Sequence, residues 1–281
     1  MGTLEAGETP MDPRSAAERF RQLHHGTTPL LLPNAWDAGS ARVIESCGAQ
    51  AIATSSAGLA WARGSADGGA LPASVLLTAV SEIARVISVP LSVDMEAGYA
   101  ADPAVIAENA FALASAGAVG INLEDGTDRP EVLCERIAAT KRGAARAGVD
   151  LFVNARTDVY LKALTAPERA VDEAVARGLK YREAGADGLF VPAMVDPAAI
   201  RRVVAAVPLP LNVLVWARLP SLSELGALGV RRVSAGSGIA SAVHGLTRRA
   251  ARQFLEGRGY EAIFEGAMPY PELNALFAER R

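Results

Sequence analysis

A single junction recurs through this chain. A helical stretch ends in Gly and an apolar run follows within a few residues, as in ESCGAQAIATSS, ASAGAVGINLED, REAGADGLFVPA and GALGVRRVSAGS. Gly after a helix suits a left-handed cap. Short apolar runs with no polar alternation suit strands buried on both faces of a parallel sheet. Eight such runs occur: LLLPNA (30–35), AIATSS (51–56), LSVDM (91–95), GINLED (120–125), FVNAR (152–156), GLFVP (188–192), LNVLV (211–215) and RRVSAG (231–236). Helical patterns separate them. Asp102-Pro103 fits an N-cap followed by N1, and Thr165-Ala166-Pro167-Glu168 fits a capping box. Eight strands alternating with helices in 281 residues predict an α/β fold of the (β/α)8 type. A doubly wound open sheet is the rival, but no G-x-G-x-x-G follows the first strand.

Residues 1–18 read as an N-terminal tail or extra helix. Residues 19–281 read as one barrel domain, since no Pro-, Gly- or Ser-rich linker divides them. Residues 237–281 exceed one closing helix and predict two or three, with Met268-Pro269-Tyr270-Pro271 breaking the last pair.

In such a barrel the carboxyl ends of the strands build the active site. Asp94 and Glu96 end the third strand, and their i, i+2 spacing puts them on one face. Glu124 and Asp125 end the fourth. Arg156 and Asp158 end the fifth, with Asn154 two residues earlier on the same face. Asp67 lies in the loop after the second strand, and Ser55-Ser56-Ala57-Gly58 turns out of that strand. Each piece alone has an ordinary reading: a solvated strand end, a rim ion pair, a turn. Their convergence carries the argument. Carboxylates crowded together repel unless a cation neutralises them. An all-oxygen set favours Mg2+, with Mn2+ the alternative, over zinc. An Arg in the same mouth fits a substrate carboxylate gripped bidentately.

The remaining motifs read as structural. Cys47 reads as a small buried apolar residue and Cys134 as a helix-interior one, and two cysteines make no disulfide framework. His24, His25 and His244 match no catalytic spacing and suit surface or capping roles. Trp36 and Trp61 suit the mouth as lining or plug. A net charge of −3 with mixed signs offers no basic footprint for nucleic acid. No secretory leader or transmembrane run is visible, so a cytoplasmic enzyme with no membrane partner is expected.

These residues resemble a known group, the isocitrate lyase and phosphoenolpyruvate mutase superfamily. VDMEAGYA resembles its Asp-x-Asp/Glu-x-Gly-Tyr-Gly segment, GINLED its strand-4 end and NARTD its strand-5 segment. SSAGLAWARGSADG resembles the strand-2 turn with the loop Asp after it, and PNAWDAGSARVIESCGAQAI the first strand and helix. The match runs from about residue 18 to 250. The resemblance implies that Asp94 is the carboxylate nearest Mg2+, with Glu96, Glu124 and Asp67 holding the metal's waters. Ser55, Ser56, Ala57 and Gly58 would cradle a small 2-oxo acid or its enolate, and Arg156 would clamp its carboxylate. It also implies a homotetramer or homodimer, with the C-terminal helices swapped between subunits.

The departures narrow the reaction. Isocitrate-type lyases of this group carry a Lys-Lys/Arg-Cys-Gly-His loop after strand 4, whose Cys acts as an acid. Here that region is EDGTDRPEVLCERIAATKRG, short and without the motif, and Cys134 stands in another context. The mutases' longer gating loop is absent too. A carbon–carbon lyase of the oxaloacetate decarboxylase type needs no such acid, because CO2 leaves without protonation. The alternatives are C–P chemistry on a phosphonopyruvate-type substrate, a phosphate-binding barrel using VSAGSGI, and a non-catalytic dicarboxylate-binding barrel.

Overall fold

The computed structural model describes residues 12–69 and 71–278. Residues 1–11 of the expected tail or extra helix (1–18) lie outside them, and the described chain begins with helix α1 (Pro13–Leu23). Asp12 caps that helix by accepting from the amides of Arg14 and Ser15, and Pro13 takes N1.

Nine parallel strands follow: β1 (Leu30–Leu32), β2 (Asn34–Ala35), β3 (Ile52–Thr54), β4 (Leu91–Asp94), β5 (Ala118–Glu124), β6 (Phe152–Arg156), β7 (Gly188–Phe190), β8 (Leu211–Leu214) and β9 (Val230–Ser234). Every ladder is parallel. The eight expected strands are all present. The first is divided at Pro33, which has no N–H to give a ladder. Its lower half, β1, pairs with β9, and its upper half, β2, pairs with β3. The two halves bring the ends of the sheet together, so the fold is a (β/α)8 barrel. The strands read as unbroken apolar runs because both faces are covered.

The wall helices are α2 (Ala38–Ser46), α3 (Ser56–Ala62), α4 (Ala73–Val86), α5 (Pro103–Ser115), α6 (Pro130–Arg146), α7 (Ala170–Glu183), α8 (Pro197–Ala206) and α9 (Leu222–Ala227). Asp102 caps α5 as expected, with Pro103 at N1. The capping box expected at Thr165 does not form. Ala166 precedes a short 3-10 turn at Pro167–Arg169 with no side-chain cap, and α7 begins only at Ala170. Helices α5 and α6 lie in very close contact: a Cβ at Gly143 would stand 2.1 Å from the Ala107 carbonyl oxygen.

Helix α1 plugs the lower end of the barrel. Phe20 is fully buried, edge-on to Phe152 at 5.5 Å, and occupies space that a side chain at Gly120 would need. His24 takes the expected capping role as the C-cap of α1, but it is no surface residue: it is 2% exposed and stacked on Phe152 at 4.2 Å. His25 and His244 are exposed, His244 meeting Trp61 edge-on at 6.0 Å.

After β9 come α10 (Gly238–Leu255), α11 (Glu261–Phe264) and α12 (Tyr270–Ala278); Met268-Pro269 precede the last helix and Tyr270-Pro271 open it. Helix α10 does not close the wall in the usual way, for among its residues only Ala240 is buried. A groove of about 720 Å³ is left beside β1 and β9, lined by Leu31, Val43, Val215, Val233 and Ile239 among others. Cys47 also lines it, exposed at the end of α2 rather than buried as expected. Among the described residues no helix is long and apolar enough to cross a membrane.

Candidate active site

Asp94 is the last residue of β4. Its amide donates to Thr54 Oγ1 at 2.9 Å, and its Oδ2 accepts from the Ser56 amide at 3.3 Å. The site therefore sits where β3 turns into α3 beside the end of β4. Ser55 caps α3, its hydroxyl accepting from the Gly58 amide at 3.2 Å. Ser55, Ala57 and Gly58 are buried, and Gly58 packs on Trp36 and Ala240 closely enough that a Cβ there would meet them at 3.0 and 3.2 Å.

Glu96 reaches the same region by a route the strand pattern did not foresee. The strand ends at Asp94, and the chain turns, with Gly98 N donating to Met95 O at 2.8 Å. Glu96 and Tyr99 both take left-handed backbone angles, φ 47° and 58°, which cost non-glycine residues energy. Tyr99 donates its hydroxyl to Glu96 Oε1 at 2.8 Å and fixes the carboxylate. Burial, then the charges of Asp94 and Asp67, push the Glu96 carboxyl above its ordinary range, with Tyr99 and the Gly69 amide pulling the other way. Gly69 belongs to the exposed loop that carries Asp67, so that loop folds over Glu96.

Glu124 and Asp125, adjacent in sequence, part company. Glu124 ends β5 at the mouth and pairs with Arg156 Nη1 at 2.7 Å. Burial drives its carboxyl up to about 7 against that pairing, and the negative charges of Asp94 and Asp158 add to the rise. Asp125 turns outward behind the strand and is fully buried. It accepts from Arg177 Nη1 at 2.8 Å, from the Tyr181 hydroxyl at 2.6 Å and from the Asp158 amide at 2.9 Å. It belongs to the wall and contributes no carboxylate to the mouth.

Arg156 is oriented by two acids. Its Nε and Nη2 fork onto buried Asp158 at 2.7 and 3.2 Å, while Nη1 holds Glu124. One N–H on each terminal nitrogen remains for a further acceptor. The guanidinium also lies 5.9 Å from the Phe190 ring centroid.

Asn154 does not reach the mouth. It lies in the barrel interior, donating to Asn122 Oδ1 at 2.9 Å and to Asn212 Oδ1 at 3.0 Å. Arg232 joins this layer from β9. It is 1% exposed, donates Nη2 to Asn122 Oδ1 at 3.1 Å and Nε to Ser234 Oγ at 3.3 Å, and its Nη1 has no partner. Burial lowers its pKa to about 9, with Asp94 acting in the opposite sense, so it stays cationic at neutral pH beneath the site. Sequence reasoning missed Arg232, Asn122, Asn212 and Tyr99. An Arg inside a strand that is otherwise apolar was the available signal. Within VSAGSGI, the amides of Ala235, Gly236 and Gly238 are taken by Leu32 O, Asn34 Oδ1 and Ala235 O.

The fit of a divalent ion follows from the donors. They are carboxylate oxygens, hard ligands suited to Mg2+. Among the described residues no three His, Cys, Asp or Glu side chains stand close enough to cage a metal. The arrangement fits a hydrated ion touched by Asp94, the rest of its shell being water that Glu96, Glu124 and Asp67 could hold. Mg2+ keeps several waters in such sites, and a cation would relieve the repulsion that raises Glu96 and Glu124.

A family model described as phosphoenolpyruvate phosphomutase matches residues 20–255. The chain belongs to that family, within the isocitrate lyase/phosphoenolpyruvate mutase superfamily of lyases and mutases. It is 35% identical over 264 residues to an uncharacterised protein of Mycobacterium tuberculosis (strain ATCC 25618 / H37Rv), covering 92% of this chain and 96% of that one. It is 30% identical over 231 residues to the 2-methylisocitrate lyase of Escherichia coli (strain K12), 77% and 73% of the two chains. A solved structure from Burkholderia cenocepacia J2315, provisionally described as a lyase/mutase, is 35% identical with a TM-score of 0.86 over 95% of this chain and 97% of that one. The fold also matches a phosphonopyruvate hydrolase solved with oxalate and Mg2+, at TM-score 0.81 and 24% identity over 94% and 95%.

Proposed function

We propose that the chain is a Mg2+-dependent lyase that cleaves a carbon–carbon bond next to a 2-oxo acid through a pyruvate-like enolate, in the manner of an oxaloacetate decarboxylase. The observation that carries this reading is Asp94 at a strand end, its charge felt by both Glu96 and Glu124, beside an Arg156 whose outer N–H edge is left over. Asp94 would touch the ion, and Glu96, Glu124 and Asp67 would hold its waters. Bound there, Mg2+ would supply the positive charge that stabilises a developing enolate. Arg156 grips the substrate carboxylate with its two remaining N–H groups, and Asp158 fixes the plane of that grip. The Ser56 amide donates to Asp94, so the turn from Ser55 to Gly58 at the start of α3 would orient the oxo end. Burial raises the Glu124 carboxyl to about 7 in the metal-free site, so it can hold a proton next to Arg156 that a bound cation would release.

The turn after β5 is tight, Asp128 N bonding Asp125 O at 2.8 Å, and α6 starts at Pro130. So short a connection carries no long acid-bearing loop, which favours a leaving group that needs no proton. The open groove beside β1 and β9 and the sparsely buried α10 support assembly as a homodimer or homotetramer, with a helix of one copy covering the groove of another.

Calorimetric binding of oxalate, a flat mimic of the enolate, tests the site. Binding that requires Mg2+ and disappears in Asp94→Ala is expected. Mg2+-independent binding, or none, would sink the reading, and Mg2+-dependent binding with no turnover of any 2-oxo diacid would favour a barrel that binds but does not catalyse.

A further inference from the structure

Lys162 is absorbed by none of the roles above, yet it lies over the mouth. It sits on the connection after β6, where its amide donates to Asp158 O at 2.8 Å and its ammonium pairs with Asp158 Oδ2 at 3.2 Å. The same ammonium rests across the turn after β5. Gly126 there has φ 57°, and a Cβ on it would come 3.3 Å from Lys162 Nζ. Lys162 thus bridges the ends of β5 and β6, the strands that deliver Glu124 and Arg156.

Two features separate Lys162 from an ordinary rim ion pair. Asp158 is fully buried and already receives both prongs of Arg156, so Lys162 is the second cation on it. The Lys162 side chain is 41% exposed, and an ammonium has three donors, of which Asp158 takes one. Two other basic groups near this turn are engaged elsewhere: Arg177 with Asp125 and Glu173, Arg136 with Asp128. Next to Arg156, Lys162 is the cation that acts most strongly on Glu124.

We propose that Lys162 is the specificity-determining residue for the far end of the substrate, and that this end is a second carboxylate. The inference rests on the enolate-site reading and names its substrate class as 2-oxo dicarboxylates. Arg156 takes the carboxylate beside the oxo group, and Lys162 receives the distal one across the short turn. A glycine at position 126 leaves the space through which the ammonium reaches it.

Competition against bound oxalate in the Mg2+-loaded protein tests this without relying on turnover. Pyruvate lacks a distal anion, oxaloacetate carries a carboxylate, and phosphonopyruvate carries a phosphonate. In the wild type, oxaloacetate should displace oxalate at about tenfold lower concentration than pyruvate, the scale of one charged hydrogen bond. Lys162→Met should erase that advantage while leaving oxalate affinity within about twofold, and Lys162→Arg should retain most of it. The proposal is overturned if Lys162→Met keeps the advantage. It is equally overturned if oxalate affinity falls in parallel, since Lys162 would then act only through Asp158 and Arg156. A wild-type preference for phosphonopyruvate over oxaloacetate would make the distal group a phosphonate and overturn the dicarboxylate assignment. Wild-type protein that binds no oxalate would remove the enolate site itself, whereas oxalate binding with no oxaloacetate advantage would remove only the role of Lys162.

Discussion

At the closed end of the barrel, His24 gives its Nδ1 hydrogen to the Phe20 carbonyl at 2.8 Å and buries an Nε2 with no partner. At the open end, Glu124 is buried beside Arg156 and feels Asp94 and Asp158. Both groups are pushed toward neutrality, and burial is the first cause in each case. His24 drops to about 3, with Arg232 adding to the fall, and Glu124 rises to about 7. The difference lies in what could reverse the cost. Nothing reaches His24 between Phe20 and Phe152, so its neutrality belongs to the packing. Glu124 faces a mouth where a divalent ion would restore its charge. A barrel can bury ionisable groups at both ends and use only those that solvent or ligand can visit.

The largest effect is expected between neighbours. Asp125→Asn removes the buried one of Arg177's two counter-charges, leaving the more exposed Glu173, and should cost about 3 kcal/mol in urea unfolding, the scale of breaking a buried pair. Glu124→Gln should act in the opposite direction. A carboxyl with a raised folded pKa stabilises below its unfolded value of 4.5 and loses that contribution as pH rises through about 7. Metal-free Glu124→Gln should therefore be more stable than wild type at pH 7.5, by up to about 3 kcal/mol. Added Mg2+ should shrink that gap, and a gap that ignores Mg2+ would separate Glu124 from the metal.

The closed end gives a smaller effect with the reverse pH dependence. His24 takes up its proton near 6.5 when unfolded and near 3 when folded, so its contribution is complete above 6.5 and declines as pH falls. By pH 5 the loss should reach about 2 kcal/mol relative to pH 7.5, and His24→Phe should flatten that part of the stability profile. Titration of His24 above pH 5, seen by NMR, would contradict its buried neutral state. The smallest effect is expected at Tyr99→Phe, which frees Glu96 Oε1 and should change stability by about 1 kcal/mol. Mg2+ affinity should weaken less than tenfold in that variant.

The barrel was legible because its strands are buried on both faces and its helices end on glycine. Pro33 was visible too, yet only the ladder partners reveal that it splits one strand in two. The mouth was legible where backbone geometry is simple. Asp94, Glu124 and Arg156 end their strands, and strand ends can be counted. Glu96 was placed by a pleat that had already stopped, and it reaches the mouth through a left-handed turn instead. Asp125 and Glu124 look alike in sequence, and only the partners Arg177 and Tyr181, more than fifty residues away, decide which one faces inward. Arg231 and Arg232 pose the same problem. One is half-buried on the outer side and the other lies beneath the active site, and adjacent identical letters carry no sign of which is which.

The contact at Gly143 has a mechanical consequence. Two helices that touch backbone to backbone cannot be wedged apart by swapping side chains, so α5 and α6 behave as one girder behind β4 and β5. The third and fourth corners of the mouth are bolted to that girder. Variation in such an enzyme is thereby channelled into the loops that overhang it, where a single residue such as Lys162 can be exchanged while the frame beneath stays in register.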